Sequence, residues 1–84
     1  MSKHQTTLEA IYSVPTRANI SWKDVESLLK SLGATITEGK GSRVRIHLNG
    51  VRAVFHRPHP RKETDRGAVR AMQRFLLNAG IGSP

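Results

Sequence analysis

The chain has 84 residues, of which 37% are hydrophobic, so it has enough apolar residues for one small domain and no room for a second core. It contains no cysteine, which excludes disulfide bonds and thiolate metal sites and fits a reducing cytoplasm. Fourteen Lys and Arg against six Asp and Glu give a formal net charge of +8, which indicates nucleic acid, an anionic membrane surface or an acidic protein as the partner.

The type of cation and the absence of long apolar runs narrow this choice. Nine of the fourteen cations are Arg, whose planar guanidinium suits phosphate better than the Lys ammonium does. No apolar run approaches the roughly 20 residues of a membrane span, and the N-terminus lacks a signal-peptide pattern. We therefore expect a cytoplasmic protein that binds nucleic acid.

Two helices are predicted in the first part of the chain. Leu8, Ile11 and Tyr12 have helical spacing, which indicates a helix over about residues 3–14, before Pro15. Ser21 and Gly33 are typical of the N-cap and the end of a second helix, in which Asp24 follows the cap by three residues. Its apolar positions are Trp22, Val25, Leu28, Leu29 and Leu32.

The hydrophobic period then changes to two, which predicts strands at residues 34–38, 43–48 and 51–56. Asn49-Gly50 between the last two favours a type I′ turn and so a β-hairpin. A final helix is expected over residues 64–80, with Thr64 as N-cap and Gly80 as its end. Its core positions are Val69, Met72, Phe75, Leu76 and Ala79. The order α-α-β-β-β-α predicts an α+β two-layer sandwich in which helices cover one face of a three-stranded antiparallel sheet.

The hairpin turn also predicts which side chains share a face. A two-residue turn at Asn49-Gly50 places Leu48 opposite Val51 and thereby fixes every other pair of the hairpin. One face is then apolar throughout. The other carries Arg43, Arg45, His47, Arg52, Val54 and His56.

A face with charge of one sign is the strongest functional signal in the sequence. Like charges opposite each other destabilise a sheet, so a plain solvated face would be expected to mix signs, whereas a phosphate backbone would relieve the repulsion. A solvated outer face remains the alternative. The residues predicted to contact nucleic acid are Arg43, Arg45, Arg52, Arg57, Arg61, Lys62, Arg66 and Arg70, with Arg74 on the same helical stripe as the last two. Few exposed aromatics accompany them, which favours contacts with the backbone over base stacking.

Three separated segments resemble the HicA family of toxin–antitoxin toxins. They are "SWKDVESLLKSLGA", "GKGSRVRI" and "HPRKETDRGAVRAMQRFLLNAGI", so the likeness runs from about residue 19 to residue 81 and leaves the first helix as an addition to a single domain of residues 1–84. The resemblance implies a fold like that of double-stranded-RNA-binding domains and cleavage of mRNA independently of the ribosome. It also implies neutralisation by an antitoxin of the HicB type.

One residue departs from the family pattern. Where members typically have Gly-Ser-His, with a His taken to be catalytic, this chain has Gly41-Ser42-Arg43. An Arg stays protonated and cannot readily act as a general base. Since the predicted register places His56 opposite Arg43, we hypothesise that His56 is the acid/base group, that Arg43 binds phosphate, and that His47 is a second proton carrier. The histidines lack metal-ligand spacing with carboxylates, so we expect no metal and no cofactor.

Three functions thus remain open from the sequence. The first is a metal-independent endoribonuclease held inactive by an antitoxin. The second is a non-catalytic module that binds double-stranded nucleic acid on the same fold, in which Arg43 indicates that the cleavage activity has been lost. The third is an interaction protein whose basic face docks an acidic partner.

Overall fold

The computed structural model describes residues 2–58 and 63–84. Its helices and strands are, in chain order, α1 (Lys3–Ile11), β1 (Ile20–Ser21), α2 (Trp22–Ser31), β2 (Thr35–Glu38), β3 (Arg43–Leu48), β4 (Val51–His56), β5 (Glu63–Thr64) and α3 (Arg66–Asn78). Strands β2, β3 and β4 form an antiparallel sheet in that order, with its apolar face against the helices. The predicted α+β class, with the layout of a double-stranded-RNA-binding domain, is confirmed. None of the described helices is both long enough and apolar enough to cross a membrane.

The β3–β4 hairpin has the predicted register. Leu48 lies opposite Val51, and the last pair of the ladder is Arg43 with His56. Asn49 and Gly50 have φ values of 51° and 82°, as the two central positions of a type I′ turn require. Because the turn fixes the register, it also fixes which side chains face the helices and which face water.

The apolar side of the hairpin is anchored in the helical layer. Val44 and Ile46 are almost fully buried, and the ring centroid of Phe55 lies 6.1 Å from that of Trp22 on α2 and 6.1 Å from that of Phe75 on α3. Burial of each such side chain stabilises the fold by about 1.5–3 kcal/mol. The five core positions predicted for α3 are all buried, which confirms the predicted core face of this helix.

The start of α3 differs from the prediction. The N-cap is Asp65, whose Oδ1 accepts a hydrogen bond from Ala68 N at 2.8 Å, so the expectation of Thr64 at this position is wrong. Thr64 is buried in β5, opposite Ile20 of β1, in a second sheet of two short strands. Two-residue strands are too short to show an alternating pattern, so no pattern in the sequence predicts this sheet. Ser21 precedes α2 as expected, but its side chain makes no capping hydrogen bond.

The segment before α2 is attached to the last helix. Helix α1 ends at Ile11, somewhat before the expected residue 14, and the Ile11 carbonyl accepts a hydrogen bond from Gln73 Nε2 at 2.6 Å. The Tyr12 hydroxyl donates to the carbonyl of Ile81 at 2.6 Å, and burial raises the pKa of this hydroxyl above its usual value. The N-terminal segment therefore holds both α3 and the chain that follows it.

Candidate nucleic-acid interface

The sheet face that points away from the helices, here called the open face, carries the cations predicted for it. The five exposed polar side chains that the hairpin contributes are Arg43, Arg45, His47, Arg52 and His56. Val54, 57% exposed, lies among them. Strand β2 adds two hydroxyl groups, because Thr35 pairs with His47 and Thr37 with Arg45. The open face is thus cationic along the hairpin and neutral along β2.

The cross-strand pairs of the open face are the close pairs of the ladder. A two-residue turn makes Leu48 and Val51 a hydrogen-bonded pair, and hydrogen-bonded and non-hydrogen-bonded pairs then alternate along the hairpin. One step beyond the ladder, Arg57 N donates to Ser42 O at 2.8 Å, which fits this alternation. Arg43 and His56 are therefore a non-hydrogen-bonded pair, with Cβ atoms about 4.5–5.5 Å apart. Both side chains can reach a single phosphate group.

Gly39 leaves space beside this pair. It lies next to Arg43 on the other side of β3, where Gly39 N donates to Arg43 O at 2.9 Å. By the alternation of β2, a side chain at Gly39 would project on the open face, and a Cβ there would lie 3.3 Å from Arg43 Cβ. In the sequence, Gly39 reads as the first residue of a Gly-rich turn, Gly39-Lys40-Gly41-Ser42, between the first two predicted strands. Gly39 follows Thr37 by two residues, and this alternation is the signal in the sequence that places it on the open face.

The two candidate histidines lie at opposite ends of the open face. His47 is four residues from Arg43 along β3, a separation of about 13 Å at the usual rise of a strand. A shallow depression of about 580 Å³ lies at the His47 end, lined on the open face by Thr35, Thr37, Arg45, His47, Arg52 and Val54. His47 and His56 would thus meet different positions along a bound strand.

The open-face arginines have no carboxylate counterion among the residues that the structure describes. Within residues 2–58 and 63–84, Arg43, Arg45 and Arg52 form no ion pair with a carboxylate. Neighbouring cations on one face repel each other at separations below the Debye length of about 8 Å at physiological salt. A bound polyanion would remove this repulsion.

Arg57 differs from the other predicted cations because two carboxylates already hold it. Its Nη2 donates to Glu26 of α2 at 2.9 Å, and its Nη1 donates to Glu38 of β2. The hydrogen bond to Glu26, and to a smaller extent the one to Glu38, raise the pKa of the Arg57 guanidinium above its usual value. Arg57 thereby connects the end of β4 to α2 and β2, and a contact between this residue and RNA remains a prediction.

The remaining predicted cations lie away from the open face or outside the described residues. Arg66 and Arg70 are exposed on α3, in the helical layer, and Arg66 Nε donates to Thr16 O at 3.3 Å. Their contact with nucleic acid also remains a prediction. Arg61 and Lys62 fall outside the described residues.

No candidate metal centre is found in the part of the chain that the structure describes. Within residues 2–58 and 63–84, no three His, Cys, Asp or Glu side chains are grouped so that they could hold a metal ion.

Comparison with known families yields one match. Residues 22–81 match the family model described as "HicA toxin of bacterial toxin-antitoxin". No curated protein and no solved structure matches the chain. The matched region contains the whole open face and α3, whereas α1 and β1 precede it.

Proposed function

Because the chain belongs to the HicA family of bacterial toxin–antitoxin toxins, we propose that it binds and cleaves mRNA in the cytoplasm and is neutralised by a HicB-like antitoxin. One observation carries the RNA part of this proposal. It is the open face, where three arginines and two histidines lie together without a carboxylate partner among the described residues.

The open face suits a phosphate backbone in both charge and shape. It is exposed and shallow, and Thr35 and Thr37 add hydroxyl groups that can hydrogen-bond phosphate oxygens. If Arg43, Arg45 and Arg52 each neutralise one phosphate of a single strand, the logarithm of the binding constant falls with the logarithm of salt concentration with a slope of about −2.

The Arg43–His56 pair supplies two of the groups that RNA cleavage needs. The neutral imidazole of His56 accepts the proton of a ribose 2′-hydroxyl, the 2′ oxygen bonds to phosphorus, and the bond from phosphorus to the 5′ oxygen breaks. Arg43 stabilises the charge that develops on the phosphoryl oxygens. The departing 5′ oxygen takes its proton from water, because His47 lies about 13 Å away along the strand. In this proposal His47 contributes to RNA binding and transfers no proton, which departs from the hypothesis that it is a second proton carrier.

A non-catalytic module is the second candidate, and Arg43 is the observation that favours it. This residue stands where family members typically have the histidine taken to be catalytic. A chain that had lost its general base would retain the cationic face and bind RNA without cutting it.

Incubation of the purified chain with RNA, in magnesium and in EDTA, separates the two candidates. The enzyme cuts RNA in both conditions, and His56→Ala removes most of the activity. His4→Ala is the matched control, because His4 lies on α1 and hydrogen-bonds Ser27 at 3.0 Å, away from the open face. Full cleavage by His56→Ala would exclude His56 as the acid/base group, and binding without cleavage by the unaltered chain would identify the module. Co-expression with a HicB-like antitoxin should restore growth to cells that the chain alone arrests.

A further inference from the structure

A second cationic surface lies on α3, in the helical layer. Arg66, Arg70 and Arg74 are exposed and follow one another every four residues, over about 12 Å along the helix axis. Within the described ranges 2–58 and 63–84, none of the three forms an ion pair with a carboxylate. We call this the α3 surface and include in it Thr16, Gln73 and Leu77, which border the same arginines.

The N-terminal segment forms one side of the α3 surface. Thr16 belongs to this segment, which precedes the family match, and its carbonyl accepts the hydrogen bond from Arg66. Thr16, Arg70, Gln73, Arg74 and Leu77 together line a depression of about 320 Å³. The side chain of Gln73 is held in place because its Nε2 donates to Ile11 O. The depression thus combines residues of the matched region with a segment outside it.

The α3 surface combines cations with exposed aliphatic side chains. Leu77 is 58% exposed beside Arg74, and Val14, two residues before Thr16, is 94% exposed. Protein interfaces combine arginine with apolar side chains, and a helix docks through residues that recur every three or four positions, as Arg70, Arg74 and Leu77 do. This composition favours a protein partner over RNA.

We propose that the α3 surface binds an acidic helical segment of a protein partner. Carboxylates four residues apart on that helix pair with Arg70 and Arg74, and an aliphatic side chain one turn further along packs on Leu77. If the acidic helix belongs to the antitoxin, that identification rests on the proposed function, whereas the chemistry of the surface does not. Since the open face belongs to the other layer, a partner held on α3 leaves the open face accessible.

Two double variants with the same change of charge test this proposal in the full chain. Arg70→Gln/Arg74→Gln alters the α3 surface, and Arg45→Gln/Arg52→Gln alters the open face. The probes are a capped helical peptide with Glu every four residues and one Leu a turn further on, the same peptide with Gln in place of Glu, and a short single-stranded RNA. Fluorescence anisotropy at physiological salt gives the affinities, and circular dichroism checks that each variant folds.

We expect the α3 variant to bind the Glu peptide at least about tenfold more weakly, and the open-face variant to change this affinity by less than about threefold. The Gln peptide should bind weakly to every form, and Leu77→Ser should also weaken binding of the Glu peptide. The proposal is overturned if the unaltered chain does not bind the Glu peptide, if both double variants weaken it equally, or if the α3 variant loses affinity for RNA instead. Failure of the unaltered chain to bind RNA would refute the proposed function, and the peptide measurement would still test the α3 surface.

Discussion

Exchange of the two residues of the Arg43–His56 pair tests the proposed chemistry most directly. The double variant Arg43→His/His56→Arg keeps the composition, the net charge and the cross-strand pair, and moves the imidazole by about 5 Å, to the position where the sequence resemblance predicts a histidine. A single general acid/base group contributes about 10²–10⁴-fold to a rate, which corresponds to about 2.7–5.5 kcal/mol of transition-state stabilisation. We therefore expect His56→Ala to lower the cleavage rate by about 10²–10⁴-fold and the exchanged pair to stay within about tenfold of the unaltered chain.

The assay is single-turnover cleavage of an RNA labelled at one end, with thermal unfolding of each variant as the check on folding. Arg43→His alone is the third variant, since it adds an imidazole at position 43 but removes the guanidinium. If the exchanged pair is as inactive as His56→Ala, the two positions are not equivalent and the reasoning from the register fails. If only variants with histidine at position 43 cut RNA, the unaltered chain is the binding module.

Three further outcomes are expected. Gly39→Val should weaken RNA binding and slow cleavage with a small loss of stability, because its side chain would crowd Arg43 on the open face. An unchanged RNA affinity would contradict a role for the space beside Arg43 in RNA binding. Asp65→Ala should lower the free energy of unfolding by about 1 kcal/mol in urea titrations, because it removes the cap of α3, while a similar loss from Ser21→Ala is not expected. The folded-state pKa of Tyr12 is raised above 10.0, so its contribution to stability is complete below pH 10 and decreases as pH rises through the folded pKa. Tyr12→Phe should flatten this decrease in the free energy of unfolding. The chain has a single tyrosine, so its absorbance gives the pKa directly.

The parts of the fold that follow from local chemistry could be predicted from the sequence. The Asn49-Gly50 turn sets the hairpin register by itself, so every pair down to Arg43 and His56 followed from it. The core face of α3 likewise followed from its helical period. Both signals depend on residues close together in the chain.

The parts that depend on long-range contacts could not be predicted in this way. The pairing of Ile20 with Thr64 joins residues far apart in the sequence through strands of two residues each, and it displaced the expected helix cap by one position. The ion pairs of Arg57 with Glu26 and Glu38 also need the packed fold, since nothing local distinguishes this arginine from its neighbours. The cations predicted to bind nucleic acid therefore fall into three groups in the structure: Arg57, which forms internal ion pairs, the arginines of the open face, and those of the α3 surface.

The positions of the carboxylates explain why these two surfaces remain cationic. Within residues 2–58 and 63–84, four of the six side-chain carboxylates have contacts inside the protein: Asp24 pairs with Lys3, Glu26 and Glu38 hold Arg57, and Asp65 caps α3. Few are left to neutralise the open face or the α3 surface. The net charge of +8, which already counts all six carboxylates, is balanced by solvent ions or by partners. Under the proposed function, RNA supplies negative charge to the open face and an acidic helix supplies it to α3. Because the two surfaces belong to different layers, a substitution that weakens binding at one should leave the affinity of the other largely intact. A partner bound only to α3 leaves the open face accessible, so a neutralising partner must cover the open face as well.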